Sequence, residues 1–365
     1  MPKIEEYCEI IAAGQKYRNW ETVEVSRDFS EVVSNITLSV AEISPQGGKD
    51  WSSVRLKPGD PMTAYLAGKL VATGHVIVRQ AAYNKDNHSV RFIAQSLVAD
   101  LIDTTVEAKP GQYRKSNLKQ IAGSVLKPFG IDFSISGSPD GADKIFDRVS
   151  VQPGESPFQL IERLCRMRNL HLIDDAQGNL TASRRDSVEI VGDLQEGRNI
   201  LSAELVWNEK YEFNRIKTLI DEHGTDQKWA DEVCGISATA TNPNLRRYKP
   251  LHILAEQPGD AQDAVMRTDN EVSVNTAQAF SCSVTVRGWL RDDGSLWIEH
   301  VGKNVNVYSP MLFPMDKLTL AIQGVTHKQN DKQGTTTTIN LTTSALLNTG
   351  NPIQTTPAKP DQTDT

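Results

Sequence analysis

The residues of this 365-residue chain best suited to chemistry are seven histidines, two aspartate pairs, an acidic cluster and three arginine-rich runs. His75, His88, His171, His223, His252, His300 and His327 are widely separated. His75 and His171 fall in expected strands and His88 at a strand edge. Ordinary strand and surface histidines are the expectation, with a metal site assembled across strands as the lesser reading. Asp174-Asp175 and Asp292-Asp293 are candidate carboxylate pairs, one acid and one base, for polysaccharide hydrolysis. Both precede a glycine at a hairpin tip, where aspartate is favoured because its side chain bonds nearby amides. The backbone role is therefore preferred. Asp221-Glu222-His223 with Asp226 has the ligand types for a cation. A solvated loop is the preferred reading of it.

Arg163 to Arg168 holds three arginines on an expected helix, Arg184-Arg185 follows a hairpin, and Arg246-Arg247-Tyr248-Lys249 adds a third cluster. Such runs suit phosphate contacts, a solvated helix face or a salt-bridged interface. With 39 basic and 46 acidic residues the net charge is −7, which argues against a dedicated nucleic-acid binder. No phosphate loop, H-E-x-x-H, G-x-S-x-G or strand–helix G-x-G-x-x-G occurs. The cysteines at 8, 165, 234 and 282 lack CxxC spacing and read as free thiols of a reducing cytoplasm. No run of about 18 apolar residues exists, so no stable membrane insertion is expected. The N-terminus lacks the apolar stretch of a signal peptide. Trp20, Trp51, Trp207, Trp229, Trp289 and Trp297 sit mostly in or beside expected strands. Core packing is their default, and an exposed subset would mark an interface. No catalytic, cofactor or metal residue is assigned, no cofactor is expected, and no interface residue can be named by pattern alone.

The elements that would position these groups change character along the chain. Period-2 alternation at Ile36, Leu38 and Val40, then runs 62–66, 71–78 and 89–94 between strong turn signals, indicates an antiparallel meander or small barrel. From Ser116, the apolar positions Leu118, Ile121, Ala122, Val125 and Leu126 form one helix face. A second helix starts at Ser156-Pro157 and buries Leu160, Ile161, Leu164 and Cys165. Runs 170–173 and 180–183 form a hairpin. Strands are expected at 201–207, 215–220 and 280–289, with a return strand at 296–300 and a modest helix over 260–269. Residues 221–248 read as irregular.

Two segments share an order of features. One runs Gly59-Asp60, Met62, Tyr65, Lys69-Leu70, Gly74, a polar turn, a strand and Ser96-Leu97. The other runs Gly302-Lys303, Val305, Tyr308, Lys317-Leu318, Gly324, a polar turn, a strand and Ser344. Gly59 to Gly74 is 15 positions and Gly302 to Gly324 is 22. Any two antiparallel meanders share turn glycines and alternating strands; the preferred reading is two related β domains with a loop-length difference of seven, which costs little.

The stretches 57–60, 74 and 90–103 resemble the first barrel of Mu-type phage baseplate hub proteins, relatives of the late-control-protein-D family. Gln152-Pro153-Gly154-Glu155-Ser156-Pro157-Phe158 through Leu164 resembles that family's middle-domain helix. Asp174 to Leu180 resembles its D-x-x-G-x-L hairpin, and Arg247 to Leu251 with Val286 to Trp297 its C-terminal half. The resemblance spans about 55–345.

It implies an α+β, β-dominated chain: two related antiparallel β-barrel domains with an intervening small α/β module. The expected divisions are 1–95 (first barrel), 96–190 (middle module), 191–220 plus 276–347 (second, discontinuous barrel), 221–275 (insertion packing near the middle module) and 348–365 (disordered tail). The implied function is a non-enzymatic baseplate hub of a contractile tail. A homotrimer would make a pseudo-sixfold ring between a tail tube or adaptor above and a spike below, with the tape-measure protein as a further partner. DNA would only pass through the lumen, in a virion baseplate assembled in the host bacterial cytoplasm. The alternatives are a cell-wall polysaccharide hydrolase, supported by facing carboxylates, and a carbohydrate-binding module, supported by an exposed tryptophan row.

Overall fold

The computed structural model describes residues 6–29, 31–41, 55–85, 88–107, 111–137, 139–184, 189–221, 235–243, 245, 247–312, 318–343 and 354–358. The chain begins with β1 (Cys8–Ala12), β2 (Gln15–Tyr17), β3 (Thr22–Asp28), β4 (Asn35–Ala41), β5 (Pro61–Leu66), β6 (Lys69–Tyr83) and β7 (His88–Ser96). The middle segment holds α1 (Asp100–Asp103), β8 (Gln112–Ser116), α2 (Leu118–Leu126), β9 (Phe133–Ile135), β10 (Phe146–Ser150), α3 (Pro157–Arg166), β11 (His171–Asp174) and β12 (Leu180–Ser183). Then come β13 (Ile190–Gln195), β14 (Ile200–Trp207), β15 (Arg215–Ile220), β16 (Ile236–Thr241), β17 (Pro250–Leu254) and α4 (Ala261–Ala279). The last strands are β18 (Phe280–Arg287), β19 (Asn304–Tyr308), β20 (Leu318–Asn330), β21 (Gly334–Thr342) and β22 (Gln354–Ala358).

The alternation seen in sequence sets which face is buried. Val23 and Val25 of β3, Ile36 and Leu38 of β4, Val90 and Phe92 of β7 and Cys282 and Val284 of β18 all enter one core. The intervening residues face outward, as the two-residue period of a strand requires.

Thirteen strands form one sheet, with the path β14-β18-β21-β20-β3-β4-β7-β6-β5-β1-β2 and β19 and β13 branching from β20. This path contains the same unit twice. The first unit has spatial order β3-β4-β7-β6-β5, the second β14-β18-β21-β20-β19, and all pairings are antiparallel. Directly opposed residues match across four strands. Val25–Ile36–Ala94–Val76 in the first unit corresponds to Leu205–Cys282–Leu341–Ile322 in the second. Both units carry a bulge at the same place, Val76/Val78 and Ile322/Gly324.

The turn glycines obey the same equivalence. Gly59 N–H donates to Val76 O, and Val76 N–H to Asp60 O; Gly302 N–H donates to Ile322 O, and Ile322 N–H to Lys303 O. Gly59 and Gly302 are left-handed at φ +89° and +91°. The pair Gly74 and Gly324 taken from sequence is not equivalent: Gly324 falls on Val78. The true spacing is 76 − 59 = 17 against 322 − 302 = 20. The loop difference is therefore three residues, not seven.

The expectation of two barrels meets a different arrangement of ladders. Among the described residues neither unit closes on itself by hydrogen bonds. The units join edge to edge through β3 and β20, with Val25 opposite His327 and Glu24 opposite Lys328.

The middle module packs α2 and α3 over the β9-β12-β11 sheet, with β8 and β10 paired beside it. Asn117 caps α2 and Ser156 caps α3, each with a reciprocal capping box to a glutamine three residues on. The expected helix faces are buried as read. Replacing Ser156 by alanine leaves the Gln159 amide without its partner and is expected to cost about 1 kcal/mol. Urea unfolding with a Ser156→Thr control checks this.

The structure corrects several expectations. β15 does not join the second unit but pairs with β16 and β17 in a four-stranded sheet ending in β22. The stretch read as irregular contains β16, whose Ile236, Ser237 and Ala238 are all buried, so its pattern does not alternate. The helix expected at 260–269 continues to Ala279, because its polar residues are held internally, as in the Arg267–Glu256 ion pair at 3.0 Å. Residues 296–300 form a short 3-10 turn with one bridge to Leu290, since Leu296, Trp297 and Ile298 all sink into the core. Within the expected disordered tail, Gln354–Ala358 adds an edge strand to β16. Strand addition uses backbone groups and does not require the apolar side chains that segment lacks. Pro357 is tolerated because β22 is an edge.

Candidate assembly surface

The candidate carboxylates do not converge. Asp174 is buried and bonded to Arg27 and Ser34. Asp175 accepts from the Gln177 and Asn179 amides and shapes its turn. Asp293 accepts from Ser295, which holds its carboxyl below the usual range, and pairs with Arg291. Asp221 is exposed; Glu222, His223 and Asp226 lie outside the described residues.

Ser295 Oγ lies 2.8 Å from His300 Nε2, which superficially suggests an activated nucleophile. The third member is misplaced, because Asp293 bonds Ser295 and His300 Nδ1 is buried without a partner. Burial, then Arg291, holds His300 below its ordinary range. Among the described residues no cluster of three or more His, Cys, Asp or Glu fits a metal ion, and no helix is long and apolar enough to cross a membrane.

The other described histidines lie apart from one another. His75 faces Asp100 at 4.0 Å, His88 stacks on Tyr83, His171 lies in β11 and His252 in β17. His327 is different, being fully buried between Thr337 and the Ile298 amide at the join of the two units. Burial, then Arg27, pushes its pKa down to about 3. The unfolded chain binds the proton near pH 6.5 and the native state only near 3. Stability should therefore be unaffected above about pH 6.5 and fall as pH drops through the window between, at up to about 1.4 kcal/mol per pH unit. Urea unfolding from pH 7 to 4 checks this, and the slope should shrink in His327→Gln.

The arginines suspected of contacting phosphate are occupied internally. Arg163 pairs with Glu155, Arg166 with Glu162 and Glu256, and Arg168 with Asp263 at 2.8 Å while stacking on Phe146 at 3.9 Å. Arg184 donates to Asp140 O and Arg247 pairs with Glu209. Arg185 and Arg246 lie outside the described residues.

What the structure does concentrate is unpaired strand edge. Among the described residues β14 ends the sheet path, and the C-terminal half of β6, from Val78 to Tyr83, has β7 on one side only, because β5 covers no more than Lys69–His75. Twelve large apolar side chains are exposed among the described residues, and six of them lie on these two strands: Ile77, Val78, Tyr83, Leu201, Val206 and Trp207. Tyr83 is 84% exposed and Trp207 71%. β14 has no lysine or proline to block addition of another strand. Of the four described tryptophans, Trp289 and Trp297 are core, Trp20 packs against it and only Trp207 is exposed. Sequence pattern named Trp207 as a strand residue but could not mark β14 as an edge, because pairing partners leave no local signal.

The solvent face of the sheet is rich in hydroxyls, including Thr22, Ser39, Ser283, Thr285, Thr326 and Thr338. Its charges balance, with Glu24, Asp28 and Glu204 against Arg91, Arg287 and Lys328.

The Mu phage baseplate assembly protein GpP-like N-terminal family matches residues 8–94, and the baseplate hub protein gp44-like second-domain family matches residues 98–184. The baseplate hub protein gp44 of Escherichia phage Mu is 25% identical over 334 residues, covering 90% of this chain and 86% of that protein. A 43 kDa tail protein of prophage MuSo2 from Shewanella oneidensis has the same fold, with TM-score 0.80, 24% identity and coverage of 93% and 98%. A tail protein from Neisseria meningitidis follows at TM-score 0.76, 16% identity and coverage of 94% and 98%. With both family domains in order and the tail-protein fold over nearly its whole length, the chain is similar to the phage-tail baseplate hub proteins of the Mu type.

Proposed function

We propose that three copies of this chain form a closed ring, the non-catalytic hub that joins a tail tube or adaptor to a central spike. The duplicated five-strand unit carries this reading. One chain joins two equivalent units edge to edge and, among the described residues, leaves the same two edges open, β14 and the C-terminal half of β6. Repeating a head-to-tail contact gives a ring when the rotation closes. Three chains then supply six similar barrel-like walls, which matches a threefold spike to a sixfold tube. The machine is a contractile phage tail or a related injection particle, assembled in the host cytoplasm.

In such a ring the hydroxyl-rich, charge-balanced face suits a lumen through which DNA passes without sticking, since polyanion binding needs clustered lysine and arginine. The hydrolase alternative loses its support because Asp174 and Asp293 are committed to internal bonds. The carbohydrate-binding alternative wanted a row of tryptophans and finds Trp207 by itself among the described residues.

Electron microscopy of the purified protein tests the reading. Class averages should show a ring with six lobes around a channel. Two-lobed single particles or open filaments would sink it.

A further inference from the structure

The ring reading leaves open which surfaces meet, and the inference below rests on it. We propose that the ring closes by strand addition in one register: β14 of one copy adds antiparallel to the C-terminal half of β6 of the next, with Leu205 opposite Ala81.

The register follows from the duplication. Val25 of β3 corresponds to Leu205 of β14, and Val76 of β6 to Ile322 of β20, through matching rows of opposed residues. Inside the chain, Val25 pairs with His327, five residues beyond Ile322. Five residues beyond Val76 is Ala81. The same rule sets Ala203 opposite Tyr83, Glu204 opposite Ala82, Val206 opposite Gln80 and Trp207 opposite Arg79.

The side chains suit this pairing. Arg79, Ala81 and Tyr83 lie opposite Phe92, Val90 and His88 and so share the face that carries the core residues of β7. Leu205 and Trp207 lie opposite Cys282 and Phe280 on the core face of β18. The seam therefore covers exposed apolar surface, and it sets the Arg79 guanidinium beside the Trp207 ring, a favourable cation–aromatic contact. Glu204, Val206, Gln80 and Ala82 face solvent.

One end of the seam differs from the join inside the chain. Gly324 is close enough to Asp28 that a Cβ there would lie 2.0 Å from its Oδ2. Val78 occupies the equivalent position, and the Asn208 amide already donates to Ala279 O. At this end the ladder between copies accordingly stops at Arg79 and Trp207, one pair earlier than the internal one.

Paired cysteines test the register. Cys8, Cys165 and Cys282 are buried, and burial raises their thiols, Cys8 to about 12 and Cys282 to about 11, so they stay unreactive. In a Cys234→Ser background, Glu204→Cys with Ala82→Cys places opposed Cβ atoms about 5 Å apart. Val206→Cys with Gln80→Cys is an independent second pair. Oxidation should give covalent dimers and trimers on a non-reducing gel for both pairs. Glu204→Cys with Val78→Cys, about 13 Å out of register, should stay monomeric on the gel. If the opposed pairs fail to cross-link while the solution mass is trimeric, the seam is wrong and the ring reading survives. Cross-linking of the out-of-register pair also overturns the register. Failure with a monomeric mass overturns both.

Discussion

Asp174→Ala should lower stability by about 3–5 kcal/mol, the cost of leaving one buried charge without its partner. Asp174 has a fully buried side chain on β11 of the middle module. Its carboxylate accepts from Arg27 Nε at 3.1 Å, from the Ser34 amide at 3.0 Å and from Ser34 Oγ at 2.9 Å. Arg27, on β3, also donates to Val71 O of β6 at 2.7 Å. One carboxylate thus ties two strands of the first unit to the middle module. Asp174→Asn keeps acceptors for Ser34 but leaves the guanidinium uncompensated, and it should cost nearly as much. Arg27→Met with Asp174→Leu removes both charges and should recover most of the loss. Urea unfolding measures all three. A loss below 1 kcal/mol for Asp174→Ala would show that the pair does not hold the two bodies together.

Gly74→Ala should be comparably severe, at about 3 kcal/mol or more, and accumulate little folded protein. A Cβ on Gly74 would lie 1.8 Å from the Gln95 carbonyl oxygen and 2.7 Å from Ser96 Cα. These are backbone atoms of β7, which is also held by β4 through Asn35 and Gln95. No side chain can swing away, so the strands themselves must part, beyond the ordinary range of overpacking. Gly14→Ala is the informative comparison. Gly14 sits at φ +75° with nothing within 4 Å of its Cβ position, so only backbone strain opposes the change, about 1 kcal/mol. Soluble yield and urea midpoints of the two variants separate crowding from strain.

The sequence carried the local structure well where one face of an element is buried. α2 and α3 follow their apolar spacing and caps, and β4, β5 and β7 follow their alternation. It failed where burial is two-sided or polar. β16 hides small residues on both faces, and α4 continues past Asp269 on buried Asn270 and Asn275 that no hydrophobic pattern marks. The repeat was legible through Gly59 and Gly302, whose left-handed turns are required in both units. Its alignment slipped by four residues because Gly74 and Gly324 are each demanded by a different neighbour, Gln95 in one case and Asp28 in the other. The proposed assembly surface was least legible. Leu201, Val206 and Trp207 look like any strand residues until the sheet order places them at an edge.

The proposed ring contains three copies of this chain. Light scattering after size exclusion, over a range of concentrations, tests it most directly. A ring predicts a mass of 3 × 40.3, about 121 kDa, that stays constant on dilution because closure pairs both β14 and β6 in every copy. A species at 40.3 kDa throughout, or a mass that climbs with concentration as open edges add without closing, would contradict it.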